Sequence, residues 1–328
     1  MTATGVEIVI PTLGRPSLAR LLQALGSGTR PDRIHLVDDR RKPDRPLLPG
    51  PLPLIQPLLC LHRGGGHGPA AARNQGWRCA RSRWVAFLDD DVIPQAGWMA
   101  ALIDDLDSVG DDVAGTQGRL RVPAPRGRPA TDWERNVSRL EEARWITADM
   151  AFRRAALESV AGFDESFGRA YREDTDLALR LLERGWRLAR GSREVTHPVR
   201  PASPWVSVRL QRGNADDVIL TARHGRGWRQ KVGEGPGRRR RHLLVVALGA
   251  TALAVRRRPI AMLAATGWVA GTTSFALERI RPGPRDAGEV AKMVATSIVI
   301  PPAATFHWLR GLVTVLRHAR LSVSAASG

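Results

Sequence analysis

Residues 6–10, Val-Glu-Ile-Val-Ile, form a short β-branched, apolar run that stops at Pro11. That pattern predicts a buried strand followed by a loop. Leu18, Leu21, Leu22 and Leu25 recur at helical spacing behind Ser17, so a helix is expected over 17–25 with Ser17 as its N-cap. Residues 33–37 read as a second strand running into Asp38-Asp39, and 58–61 as a third. A Pro-rich stretch over 43–57 reads as irregular, and 70–80 as an Ala-rich helix. Residues 84–88 read as a fourth strand, running into Asp89-Asp90-Asp91. Strands alternating with helices predict an α/β chain built on a doubly wound, mostly parallel sheet. Ligands of such sheets bind beyond the carboxyl ends of the strands. Pro11-Thr12, Asp38-Asp39 and the Asp89–Asp91 triplet all sit at such ends and are expected to converge there.

The acidic triplet carries the sharpest chemistry. If the chain stays extended, alternation aims Asp89 and Asp91 to one side. Two carboxylates aimed together repel unless a cation lies between them. Mg²⁺ or Mn²⁺ suits such oxygens and shares them with substrate phosphates. A solvated acidic turn is the plain alternative. The second feature is Gly64-Gly65-Gly66-His67-Gly68, which leads into the Ala-rich helix carrying Arg73, Asn74 and Gly76. Backbone there approaches a ligand closely, and a helix N-terminus favours anions. No Gly-Lys-Ser/Thr follows, so it is not a Walker loop. His62 and His67 flank these glycines and read as loop residues.

Beyond residue 223 the pattern changes. Arg238–Arg241 precedes an apolar run over 243–255, and Arg256–Arg258 precedes another over 260–277. A third apolar stretch, 290–304, is expected to break at Pro301-Pro302. The first run is too short to span a bilayer, and the second is at the lower limit of about 17–25 residues. A two-span hairpin would send one Arg run to the far side, against the positive-inside tendency. Interfacial or re-entrant helices with Arg at anionic headgroups are therefore expected. The alternative is a soluble helical subdomain. This sets expected domains of 1–225 and 226–328.

Composition agrees with that division. Of the 328 residues, 43% are hydrophobic, which excludes global disorder. Fifty Lys and Arg against 32 Asp and Glu give a net charge of +18, which favours anionic partners. A nucleic-acid binder would interleave its basic residues with aromatics. Here the basic runs flank apolar ones, so lipid is expected and nucleic acid is not. Cys60 and Cys79 form no Cys-x-x-Cys pattern, which suits a reducing cytoplasm. Residues 1–5 lead straight into the first strand with no basic region, so no secretory leader is expected.

Taken in order, Ile-Val-Ile-Pro-Thr (8–12), Val-Asp-Asp (37–39), the glycine loop through Arg73-Asn74-Gln75-Gly76 and Phe-Leu-Asp-Asp-Asp (87–91) resemble the family 2 glycosyltransferases of the GT-A fold. The likeness continues through residues 147–154, the Gly-Phe-Asp-Glu turn at 162–165 and Glu173-Asp174 opening a helix. It implies a GT-A-like catalytic domain that uses a nucleotide-diphosphate sugar, a divalent metal and a glycan or lipid-linked acceptor. By position, Pro11 and Thr12 would line the nucleotide pocket, Asp39 would bind the base with Asp38 supporting, and Arg73 would contact the nucleotide. Asp89 and Asp91 would hold the diphosphate through the metal, with Asp90 near the ribose or sugar. Asp174 would be the catalytic base with Glu173 beside it, and His197 a third metal ligand or a plain loop residue. Two segments depart from the family. Arg40-Arg41 replaces the usual Gly-Ser, and Asp149 stands where Asn is common, a change that bears on acceptor or sugar contacts. An inverting transfer needs base and metal on opposite faces of the sugar, which carboxylates this far apart in sequence satisfy. The implied setting is the cytoplasmic face of a cell membrane, in cell-envelope synthesis. A sugar-phosphate nucleotidyltransferase, which would share the sheet and carboxylates but release pyrophosphate, is the alternative enzyme.

Overall fold

The computed structural model describes residues 4–326 apart from 49 and 51, with side chains described to 317. Residues 1–3 of the expected leaderless start and two prolines of the irregular stretch therefore lie outside the described residues. The strands are β1 (Val6–Thr12), β2 (Arg33–Asp38), β3 (Leu59–Arg63), β4 (Trp84–Leu88), β5 (Ile93–Pro94), β6 (Val113–Arg121), β7 (Asp149–Arg153) and β8 (Arg187–Thr196). The first helices are α1 (Ser17–Leu25), α2 (Pro69–Cys79), α3 (Trp98–Asp107), α4 (Asp132–Ser138), α5 (Arg154–Ser159) and α6 (Glu173–Glu183). The rest are α7 (Val206–Arg209), α8 (Gly213–His224), α9 (Trp228–Lys231), α10 (Arg239–Ala254), α11 (Arg258–Ile280) and α12 (Ala287–Ala326).

The contacts divide the chain into two units. The first holds the residues up to Pro123 together with Leu140–Val199, and the second holds Ala124–Arg139 with the residues from Arg200 on. The division falls at Val199/Arg200, earlier than 225/226, and residues 124–139 belong with the C-terminal part.

The first unit is one sheet in the order β3-β2-β1-β4-β7-β6-β8-β5. β1, β2, β3 and β4 pair in parallel, and the apolar residues of β1, β2 and β4 are covered on both faces. β7 enters antiparallel between β4 and β6, so the second half is mixed. One face packs Ile8, Ile10, Leu21 and Leu22, and the other packs Val9, Val37, Phe87 and Phe152. α2 lies close on β1 because Gly76 faces Val9, where a Cβ would sit 2.4 Å from the Val9 side chain. Ser17 is the first residue of α1 and not its cap. Pro16 takes the N-cap position with no side-chain bond.

Two features of the core were unexpected. Asp149 is fully buried, accepting from the Trp98 indole (2.8 Å) and from Arg193 (2.7 Å). Arg193, also buried, donates further to Asp105 (3.0 Å) and to Thr116. Asp149 is thus a partner inside the sheet, its oxygens taken up by Trp98 and Arg193. His62 lies on β3, not in the loop, with its ring 2.9 Å from His35, which in turn meets Glu7 at 2.5 Å. Burial, and then the neighbouring His35, hold the His62 pKa below its ordinary value.

In the second unit α10 and α11 run antiparallel. Arg241 meets Glu278 (2.6 Å), His242 meets Phe275, and glycines 249, 267 and 271 let the helices close in on Trp268, Leu248 and Val245. α12 also packs on α8, α10 and α11. It continues through Pro301-Pro302, so the expected break does not occur. The prolines remove two backbone donors, but packing on three helices holds the axis. Arg279 ties this unit to α4, donating to Asp132 (2.8 Å), Thr296 and Ser297. Among the described residues, α11 and Ala287–Arg317 within α12 are long and apolar enough to cross a membrane. Apolar side chains stand outward on α10 and α11, with Leu253, Met262 and Leu263 exposed at 92%, 70% and 75%.

Candidate active site

The strand order reverses between β1 and β4, and this is where ligands collect in such sheets. The extended geometry stops at Leu88. Asp89–Val92 is a turn, closed by the Val92 N–H donating to the Asp89 carbonyl (3.3 Å). The three carboxylates consequently take three different partners, instead of two sharing one side by alternation.

Asp90 is buried and ties β4 to β1. It accepts from Thr12 Oγ1 (2.7 Å), the Leu13 N–H (3.3 Å) and Arg15 (2.6 Å). Pro11 is half-buried beside it, opposite Val37. Asp91 is buried, and its Oδ1 lies 3.8 Å from His197 Nε2. The other ring nitrogen of His197 is buried without a hydrogen-bond partner. Asp89 keeps about a third of its side chain exposed and accepts from Arg73 at 2.8 Å.

Arg73 is the centre of the arrangement. Only 2% exposed, it reaches from α2 to Asp89 with one amino group and to Glu173 (2.7 Å) with the other. Burial works against its charge, but Asp89 and Glu173 outweigh it and raise the pKa further. Glu173 and Asp174 open α6, and Arg172 before them sits at φ +77°, a left-handed conformation uncommon outside glycine. Burial pushes the Glu173 carboxyl up to about 7; Asp174 adds to the rise and Arg73 opposes it. One Glu173 oxygen has no hydrogen-bond partner. Asp174 is raised by burial too, against the pull of Arg73. It accepts from the Thr175 N–H at 2.7 Å.

Asp38 and Asp39 are both engaged by the protein. Arg40 clamps both oxygens of Asp38 at 2.8 Å and also donates to the Arg45 carbonyl. That clamp, and then burial opposing it, leaves Asp38 with a lowered pKa. The Arg at a position where the family carries Gly therefore folds back on its own turn. Asp39 accepts from the N–H groups of Gly66 (2.9 Å), His67 (3.0 Å) and Gly68 (3.0 Å). It holds the glycine loop in shape. Gly68 adopts φ +98°, and a Cβ there would lie 2.9 Å from the Gly168 carbonyl, so only glycine fits.

Asn74 was named in the motif without a role. It pins the Gly-Phe-Asp-Glu turn to α2, donating to the Phe163 carbonyl and Glu165 and accepting from the Phe163 N–H and Trp77. Among the described residues no three His, Cys, Asp or Glu side chains form a metal-sized cluster.

The family model for glycosyl transferase family 2 matches residues 7–172, half of the chain, and that span contains every element of this constellation up to Arg172. The chain belongs to glycosyl transferase family 2. This transferase is 34% identical to the pre-mycofactocin glycosyltransferase of Mycobacterium tuberculosis, in strains CDC 1551 / Oshkosh and ATCC 25618 / H37Rv, over 39% of its own chain and 29% of the relative. The match thus spans under a third of those curated relatives. Among solved structures it is similar in fold to the mannosyltransferase PcManGT from Pyrobaculum calidifontis, solved in complex with GDP-Man and Mn²⁺. The TM-score is 0.55 at 19% identity, covering 93% of the transferase and 86% of that chain. The mixed sheet with its covering helices is thus a GT-A fold.

Proposed function

We propose that this transferase moves a sugar from a nucleotide-diphosphate donor to an acceptor hydroxyl with inversion, and that the acceptor is lipid-linked or part of a cell-envelope glycan. The observation that carries this reading is the buried Arg73, which bonds both Asp89, assigned to the diphosphate side, and Glu173, the neighbour of the assigned base Asp174. One guanidinium would thereby couple the diphosphate-side carboxylate to the helix start that carries the base.

Asp174 takes the proton of the attacking hydroxyl. Glu173 is fixed by Arg73 and keeps the local charge low by holding its own proton up to about pH 7. Asp39, Thr12 and Pro11 shape the nucleotide wall, Asp39 through the glycine loop it anchors. The residues fit a small divalent ion. Asp91 Oδ1 and His197 Nε2 lie 3.8 Å apart, a separation one ion bridges. Among the described residues no third such side chain clusters with them, so the diphosphate would complete the shell, as is usual for Mg²⁺ and Mn²⁺. When bound, the ion would offset the charge that develops on the departing diphosphate. PcManGT, solved with GDP-Man and Mn²⁺, supports both donor and metal for this chain.

The second unit would hold the enzyme at the cytoplasmic membrane face. Arg238–Arg241 and Arg256–Arg258 stand at opposite ends of the α10–α11 pair, so a full crossing would carry one basic cluster across. Interfacial or re-entrant burial of the outward Leu and Met side chains keeps both clusters at headgroups.

The test separates the two carboxylates. Asp174→Asn should abolish most transfer while donor binding survives, and Glu173→Gln should retain a measurable fraction. If Asp174→Asn stays active and Glu173→Gln does not, Glu173 is the base.

A further inference from the structure

Within the second unit lies a cavity of about 810 Å³, between α8, α9, the start of α10 and α12. Its lining includes Arg226, Arg238, Arg239 and Arg240, together with Trp308 and Leu312 of α12. Arg229, also on the wall, is neutralised by Glu234 (2.8 Å) and Asp217. Arg226, Arg239 and Arg240 meet no carboxylate among the described residues. Arg239 instead stacks over the Trp308 ring at 5.5 Å. α10 begins inside this wall with an arginine run and no acidic residue in its first turn. A helix N-terminus already carries partial positive charge, so arginines there are unfavourable unless an anion offsets them.

We propose that this cavity binds a phosphate ester carried on an apolar chain: the headgroup of an anionic lipid or of a lipid-linked phosphate. The basic wall matches the phosphate, and Trp308 and Leu312 match the chain that bears it. Free phosphate shares the first feature and has no use for the second. The volume lies in the range of built ligand sites and exceeds what a lone phosphate fills. The proposal rests on the membrane reading above and goes beyond it. Diffuse attraction would treat all arginines near the surface alike, whereas a pocket distinguishes Arg239 and Arg240 from Arg256 and Arg257.

The full chain is floated with phosphatidylcholine vesicles, with and without phosphatidic acid. Arg239→Gln/Arg240→Gln is compared with Arg256→Gln/Arg257→Gln, which removes the same charge elsewhere. Inorganic pyrophosphate serves as competitor, and melting curves confirm that the variants fold. The cavity variant should need about tenfold more phosphatidic acid for half-binding, while the control shifts by no more than about twofold. Pyrophosphate at matched phosphate concentration should displace little protein. Equal loss in the two double variants overturns the pocket and leaves only surface charge. Complete displacement by pyrophosphate overturns the lipid source. A wild-type chain that ignores both vesicles removes the membrane reading and the lipid occupant with it.

Discussion

At the level of single residues, burial raises both carboxyls that open α6, Glu173 and Asp174. A folded Glu173 holds its proton up to about 7, whereas an unfolded glutamate loses it near 4.5. The folded state therefore binds more protons between those values, and the stability this residue contributes falls as pH rises through that window. Glu173→Gln should flatten that limb in thermal melts followed from about pH 5 to 7; an unchanged slope would place the titration elsewhere. Asp91→Asn should cut transfer by about two orders of magnitude or more with the fold intact, because the diphosphate loses its ion. Full wild-type turnover in EDTA would contradict the metal assignment. Asp39→Asn replaces one of two accepting oxygens with a donor facing the N–H groups of the glycine loop. Donor affinity should drop about 5- to 30-fold, about 1–2 kcal/mol, as read by calorimetry. Which residues gather at the site was legible in the sequence, because the strand ends announce them. Their partners were not. Nothing local says that Asp38 is clamped by Arg40, or that Asp149 turns inward to Arg193, since those bonds depend on how distant strands pair.

Elements whose pattern is local were read closely. β1, β2, β4, α1 and α2 match their expected spans within two residues, because each buries an apolar face set by its own periodicity. β8, with the sequence RLARGSREVT, shows no alternation and pairs with β6 through two register irregularities, so no period reveals it. The helix through Pro301-Pro302 was misjudged for a related reason: packing on three helices outweighs two lost backbone bonds. Gly76→Ala tests the tight seat of α2. The new methyl must displace Val9, and the cost should be about 1–3 kcal/mol, read as a lower denaturant midpoint. A neutral outcome would mean that α2 moves away from β1 freely.

At the scale of the whole molecule, a change of character was visible from the basic runs, but the position of the boundary was not. Residues 124–139 join the second unit through Asp132 and Arg279, a link between positions 147 apart that no local signal carries. Truncation after Gly225 should therefore leave α4 without its partner, and the fragment should be more protease-sensitive around residues 124–139 than the full chain. Equal protection would show that α4 is held by other contacts. The central claim is that this chain transfers sugar from a nucleotide-diphosphate donor. The most direct measurement is nucleoside diphosphate release by the full chain across UDP-, GDP- and dTDP-sugars with Mg²⁺ or Mn²⁺. Release from at least one donor, lost in Asp174→Asn while donor binding persists, is the predicted result. Pyrophosphate release from a nucleoside triphosphate and a sugar phosphate, with no diphosphate from any donor, would contradict it.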